Sequence, residues 1–385
     1  MPPGVNISHM IHTQQRIWTE ADGWSEPQGN LPGQPQLVFV FGDREFVERE
    51  SLFDQVRQFY KDSYIFTAST AGNITGNEVL DKAVTISALY FEKTKIWFAE
   101  TNIENEFDSL NVGKKLADFL PQEDLVHSLI LSDGIFVNGT ELAKSVNEHL
   151  PQNVTVTGGL AGDGTAFGKT VIGVNNLPQS RRVALIGFYG KELKINYATG
   201  SGWTATDNVF TITRSKGNVL YELNGEPALD VYKKLLGDQA ANLPGSALLF
   251  PLELQLPEEG VVTRTILGVD EKQKSMTFAG DMPQGLVARM MKTTAGDLIA
   301  QAHEAGKKAA GGGHVDFALL VSCVGRKLVL KERTAEEVLA VRQAIGLETP
   351  VFGFYSYGEL CPGQNSGKHC LLHNQTMTVT TFSET

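Results

Sequence analysis

A mixed α/β fold in two domains, with antiparallel-rich sheets and flanking helices, is what this 385-residue sequence predicts, on three observations. The chain exceeds the roughly 250–300 residues over which one hydrophobic core keeps growing. Hydrophobic residues make up 42% and charged residues 20%, the proportions of an ordinary globular protein and not of a disordered or fibrous one. Short apolar runs of strand character are mixed with segments of helical period along the chain.

Residues 1–35 carry repeated Gly, Pro, Gln and Asn, as in EPQGNLPGQPQ (26–36), and read as an N-terminal extension leading into the strand-like run LVFVFGD (37–43). Helical period follows in SLFDQVRQFY, LNVGKKLADFL and NGTELAKSVNEHL, and strand character in SYIFTAST, AVTISALYF, TKIWFAE and LVHSLILSDG. Next come VTVTGGLAGDG, KTVIGVNNL, RRVALIGFYG, LKINYATGSGW and NVFTITRS, whose joints are too short for helical crossovers, so an antiparallel meander is expected. The later half predicts a helix over PALDVYKKLLG, a hairpin of VTRTILGVD and SMTFAG, and a long helix near 286–310. A strand FALLVSCVG, a helix TAEEVLAVRQAI and two terminal strands complete it, and no residue-level internal repeat stands out.

The balance of 33 Lys+Arg against 44 Asp+Glu, a formal charge of -11, repels phosphate backbones, and the basic pairs Lys114-Lys115, Arg181-Arg182, Lys233-Lys234 and Lys307-Lys308 read as solvated faces. Nucleic acid is therefore not an expected partner. Cys323, Cys361 and Cys370 are too few, and odd in number, for a disulfide framework. With no leader-like start and no apolar run of spanning length, a cytoplasmic protein without membrane insertion is expected.

Chemistry-bearing residues crowd the C-terminal segment 355–382. If LLHNQTMTVTTF is one strand, His369, Leu371, His373, Gln375 and Met377 share one face and Cys370, Leu372, Asn374 and Thr376 the other. That alternation divides the zinc-like set Cys361, His369, Cys370 and His373. His373 is then either a buried imidazole bonded to a nearby carbonyl or a ligand contact. In ASTAGNITG (68–76), Ser69, Thr70, Gly72 and Asn73 are expected to expose hydroxyls and N–H groups at a strand end. GGLAGDG (158–164) matches neither nucleotide-binding glycine pattern. Arg326 could fork onto a carboxylate of a ligand or form an ion pair with Glu359, and the two are compatible if Glu359 holds it in place. Cys323 or Cys361 with His373 could form a nucleophile and base, but no local signature supports a hydrolase, and the paired acids Glu258-Glu259 and Glu336-Glu337 diverge. No enzymatic role is expected.

Taken in order, ASTAGNITG, GGLAGDG, VLYELNGEPALDVY (219–232), RTILGVD (264–270), FAGDMPQG (278–285), SCVGRKLVL (322–330), GFYSYGEL (353–360) and LLHNQTMTVT (371–380) resemble the FIST family over nearly the whole chain. The resemblance implies a FIST N-terminal domain over 36–212 and a ligand-sensing FIST C-terminal domain over 213–385. It implies a bacterial-type intracellular sensor in signal transduction: first, as in the similar stand-alone NosP-type proteins, one whose haem b binds nitric oxide and which regulates a partner histidine kinase; alternatively, a non-haem receptor for an amino-acid-like ligand. Such a haem needs one axial nitrogen in an apolar pocket with the opposite position open, and its propionate is a carboxylate onto which Arg326 could fork. Of the eight histidines, His9 and His12 lie in the polar extension, His149 ends a surface-like helix, and His127 and His314 begin core-like strands. His373 ranks first as the iron ligand and His303, one helical turn after Ile299, second. The expected ligand contacts are His373, Asn374, Tyr357, Glu359, Arg326 and Cys323, with Ser69, Thr70, Gly72 and Asn73.

Overall fold

A computed structural model describes residues 10–105, 108–257, 260–363 and 367–385; His9 and the Glu258-Glu259 pair lie outside them. Three stretches of the chain follow one topological plan. The first comprises β1 (Ile11–Thr19), β2 (Leu37–Gly42), α1 (Glu50–Phe59), β3 (Tyr64–Ser69), β4 (Asn73–Thr75) and β5 (Ala83–Phe91). The second comprises β6 (Lys95–Asn102), α2 (Ser109–Phe119), β7 (Leu125–Ser132), α3 (Gly139–His149), β8 (Thr155–Leu160), β9 (Ile172–Val174) and β10 (Arg182–Tyr189). The third begins at β11 (Leu193–Gly200) and, after an insert of residues 204–292, resumes with α4 (Ala295–Ala310), β12 (Phe317–Cys323), α5 (Thr334–Ile345), β13 (Val351–Ser356), β14 (Gly358–Pro362), β15 (Cys370–His373) and β16 (Met377–Glu384).

In each stretch two parallel strands flank a helical connection: β2/β3, β7/β8 and β12/β13. A return strand (β5, β10, β16) pairs antiparallel with the first of them, and a lead strand (β1, β6, β11) pairs outside the return strand. The strand that follows the parallel pair leaves its own sheet: β4 joins β13, β9 joins β3 and β14 joins β8. Three sheets of identical order result, β9-β3-β2-β5-β1, β14-β8-β7-β10-β6 and β4-β13-β12-β16-β11, apart from one extra strand at an edge of each.

Alternation of side chains across a strand explains the two layers this makes. The inner faces meet in one apolar core at equivalent positions, Phe39 and Phe41 of β2, Leu129 and Leu131 of β7, Leu319 and Val321 of β12. Phe41 lies 5.1 Å from Phe352 and 4.7 Å from Phe354, ring centre to ring centre. Outer faces are covered by helices: Leu52 and Val56 of α1 pack with Val38 and Ile65, and α2, α3, α4 and α5 share a second outer core. Where the repeats exchange strands the backbone closes a ring, Gly162 N to Ser69 O (3.0 Å), Ala71 N to Tyr355 O (2.8 Å) and Tyr357 N to Leu160 O (3.2 Å). A Cβ on Gly162 would stand 2.7 Å from Ala71 N, so only glycine permits that crossing.

The insert carries a sheet of its own, built from strands between Thr204 and Lys292, and its own core around Ile212, Tyr232, Leu254 and Phe278. Several expectations need correction. The stretch read as an extension contributes β1, whose nine residues pair in register with β5, and His12 within it bonds Glu92 at 3.1 Å. The expected meander is not one: β8, β9, β10 and β11 go to three different sheets, because each short joint carries the chain between repeats. The helix near 286–310 begins only at Ala295, capped by the Thr294 side chain, while Val287–Lys292 alternates and pairs with Thr204–Lys216. The hairpin of Ile266–Asp270 with Ser275–Phe278 is present. A domain boundary between 212 and 213 falls inside the strand Thr204–Lys216, and residues on both sides of it share sheets in the body. Among the described residues no helix is long and apolar enough to cross a membrane.

Candidate functional site

The HNQT segment is not one continuous strand. It breaks between β15 and β16 at Asn374–Thr376, where Gln375 has φ +64, the left-handed region that a glutamine enters at a cost. The face division expected for a single strand therefore ends at His373. The break is where the insert meets the body. Asn374 Oδ1 accepts from Thr265 N (3.3 Å), Gln375 Nε2 donates to Leu248 O (2.9 Å), and Arg264 Nη1 donates to Leu372 O (3.1 Å). The Gln375 amide lies against Gly325, where a Cβ would come within 2.3 Å of Nε2. Gln375 is fully buried, yet its Oε1 has no partner, and neither does the hydroxyl of Thr265 beside Asn374. Buried polar atoms are rarely left so.

Glu359, on β14 opposite His373, lies under the same turn. Its carboxylate accepts from Ser356 Oγ (2.6 Å), Thr376 N (3.0 Å) and Thr376 Oγ1 (2.9 Å). Complete burial outweighs these bonds and pushes its pKa up to about 7, so the group can change charge near neutrality. His373 Nε2 bonds the carbonyl oxygen of Cys361 at 2.9 Å. A carbonyl only accepts, so this nitrogen carries the proton, and burial lowers the imidazole to about 4, leaving it neutral. Burial, and for Cys323 the Glu359 charge as well, raises all three thiols, so none is a thiolate nucleophile at neutral pH. The turn thus offers orphaned hydrogen-bonding groups, a neutral imidazole and one titratable acid, a set suited to holding a small polar molecule.

Arg326 is placed differently from the sequence reading. Gly325 and Arg326 belong to a short helix, Val324–Leu330, and the guanidinium turns inward onto Glu337 of α5 (Nε to Oε1 2.6 Å), not onto Glu359 or an open ligand space. Its remaining N–H groups donate to the carbonyls of Gly200, Ser201, Leu298 and Gln375. Ser322 Oγ and Tyr355 OH complete the Glu337 carboxylate at 3.0 and 2.9 Å. Arg326 is thus a buried node under the turn. Glu337 was missed as its partner, although Glu337, Val341 and Ile345 stand one helical turn apart on the buried stripe of α5.

Ser69, Thr70 and Asn73 are buried as well, and Gly72 with them, so they do not expose ligand contacts. Ser69 Oγ accepts from Val171 N, Thr70 Oγ1 donates to Asn73 Oδ1 (2.8 Å), and the Asn73 amide donates to Leu80 O and Ala83 O. These residues hold the strand exchange. Tyr357 lies under the loop after β8: its hydroxyl donates to Gly164 O (3.3 Å) and accepts from Phe167 N (3.2 Å), its ring stacks on Phe167 at 4.5 Å, and burial pushes the phenol up to about 12.

Haem can be tested on these residues. The Nε2 of His373 would have to abandon the Cys361 carbonyl to reach iron, and its backbone is fixed by the β14–β15 pairing. His303 is half exposed beside Glu304 on the outside of α4, not over an apolar pocket. His127 is buried, but both ring nitrogens bond Thr155 and Thr157 (2.7 and 3.1 Å). None of these three imidazoles fits an axial haem ligand as it stands.

The buried polar turn is thus set between a repetitive body and an insert. Residues 36–226 match the FIST N domain and residues 228–362 the FIST C domain. The chain belongs to the FIST family, whose domains are associated with sensing in signal transduction. It is also similar to an uncharacterized protein of Methanocaldococcus jannaschii, 23% identical over 222 residues, a stretch that covers 55% of this chain and 43% of that protein.

Proposed function

We propose that the chain is a sensor whose ligand is a small polar molecule, of the amino-acid-like class or similar, bound at the turn His373–Thr376 between insert and body. Occupancy would change how the insert is held, and a signalling protein, a sensor histidine kinase by the family resemblance, would read that change. The observation that supports this most is Gln375 Oε1, a buried acceptor without a partner on a residue with strained backbone. Leaving such an acceptor unpaired costs about 1–3 kcal/mol, and strain of this kind gathers where a ligand completes the arrangement. A strongly anionic ligand suits the turn less well, since Arg326 is committed to Glu337 and carbonyls. Three free buried cysteines suit a reducing, cytoplasmic setting.

Thermal unfolding against a panel of amino acids and other small polar metabolites tests the proposal. At least one should raise the unfolding midpoint of the wild type in a concentration-dependent way and fail to do so in Gln375→Met. Equal stabilisation of both proteins would remove the ligand from this turn. Haem b with nitric oxide is decided by reconstitution: a sharp Soret band that shifts with nitric oxide and is lost in His373→Ala would displace the polar-ligand reading.

A further inference from the structure

Strand β6 ends the second sheet, so half of its backbone N–H and C=O groups point away from the sheet with no strand beside them among the described residues. A cavity of about 510 Å³ follows that edge. Its lining comes from both faces of β6. Trp97, Ala99 and Thr101 lie on one side with Leu116 and Phe119 of α2; Phe98 and Glu100 lie on the other with Tyr64. Trp97 is 47% and Phe119 66% exposed, unusual for large apolar side chains, whereas Phe98 stacks edge-on against Tyr64 at 5.0 Å. An open strand edge with an apolar shelf above and below has the form of a slot for one more strand.

The two charged side chains in the slot's lining, Glu100 and Lys115, differ in pairing. Glu100 is neutralised by Arg182 (3.0 Å), and Lys114 by Asp118 (2.9 Å). Lys115, in the lining, and Lys95, two residues before Trp97 on the same face of β6, have no ion-pair partner among the described residues. On a chain with a formal charge of -11, two uncompensated lysines beside an apolar slot favour an acidic occupant.

We propose that the β6 edge is a docking surface for an extended segment of a partner protein, which adds as a strand to the second sheet. Alternate apolar side chains of the segment cover Trp97 with Phe119 on one face and Phe98 with Tyr64 on the other, and an acidic residue meets Lys115. The backbone pairing supplies sequence-independent affinity, and the two shelves and the lysine supply selectivity. This surface is separate from the His373–Thr376 turn, so it stands whether or not that turn binds a ligand.

The test titrates the full chain into two fluorescently labelled octapeptides with adjacent valines that face both sides of the strand and threonines at the ends, one with a central glutamate and one with a lysine there, read by anisotropy. The glutamate peptide should bind about tenfold or more tightly than the lysine peptide. Trp97→Ser and Phe119→Ser should each weaken binding by about tenfold, and Lys115→Glu should reverse the preference, all with unfolding midpoints close to wild type because these side chains are exposed. Absence of binding by either peptide at millimolar concentration, or equal affinity of wild type and Trp97→Ser, overturns the proposal. So does a concentration-dependent dimer in light scattering that Trp97→Ser abolishes, since a second copy is then the occupant.

Discussion

Asn73 and Glu359 occupy equivalent places in two repeats. Each follows a glycine, Gly72 or Gly358, at the start of a strand handed to a neighbouring sheet. Around Asn73 every group is satisfied: its carbonyl accepts from Thr70 and its amide donates to Leu80 O and Ala83 O. Around Glu359 the repeat is disturbed, because the segment that returns from β14 to β16 makes the additional strand β15 and a left-handed turn against the insert. The equivalent position then holds a titratable acid beside unpartnered Gln375 and Thr265 atoms. Unpartnered hydroxyls such as those of Thr67, Ser87 and Ser128 also occur within the repeats, but only at the interruption do such atoms coincide with a titratable buried acid and a left-handed glutamine among the described residues, a conjunction of the kind expected at a functional site.

The largest test of this contrast concerns the node beneath the disturbed turn. Arg326→Met leaves Glu337 charged and fully buried and should cost about 3–5 kcal/mol in urea unfolding. The double replacement Arg326→Met with Glu337→Leu should recover most of that loss. A single-variant loss below about 1 kcal/mol, the range of exposed pairs, would mean that the node does not support the turn.

The next effect lies in pH. The Glu359 pKa is raised from 4.5 to about 7 on folding, so the folded state binds the extra proton and stability is lost as pH rises from 4.5 to 7. His373, lowered from 6.5 to about 4, acts oppositely: the unfolded state binds the extra proton, and stability is lost as pH falls from 6.5 to 4. Each amounts to about 3 kcal/mol at most, and over the shared window the two offset each other. Glu359→Gln should remove one side of the balance, so that unfolding free energy rises more steeply with pH between 4.5 and 6.5 than in the wild type. An unchanged slope would show that Glu359 titrates normally.

Much of the secondary structure was legible in the chain, because strands such as LVFVFG and helices such as SLFDQVRQF carry their periods openly. The threefold plan was not, since LVFVFG, LVHSLILS and FALLVSC share only apolar character while the repeat resides in pairing. The family resemblance drew attention to HNQT, yet strand alternation could not foresee the turn at Gln375, which arises from contact with Leu248 and Thr265 far away in sequence. The true partner of Arg326 was hidden for the same reason: Glu337 reaches it only through the docking of α5 against β12.

A smaller pair of replacements addresses the contrast directly. Asn73→Ala strands a hydroxyl and two carbonyls inside the body and should cost about 1–3 kcal/mol, with any ligand response at the other turn intact. Gln375→Met loses one hydrogen bond, to Leu248 O, worth about 1 kcal/mol, but also removes a buried acceptor whose missing partner costs a similar amount. Its unfolding free energy should therefore stay within about 1 kcal/mol of wild type while ligand-induced stabilisation disappears. If Gln375→Met is instead as damaging as Asn73→Ala, the glutamine is as structural as the asparagine, and the two turns differ in shape without differing in purpose.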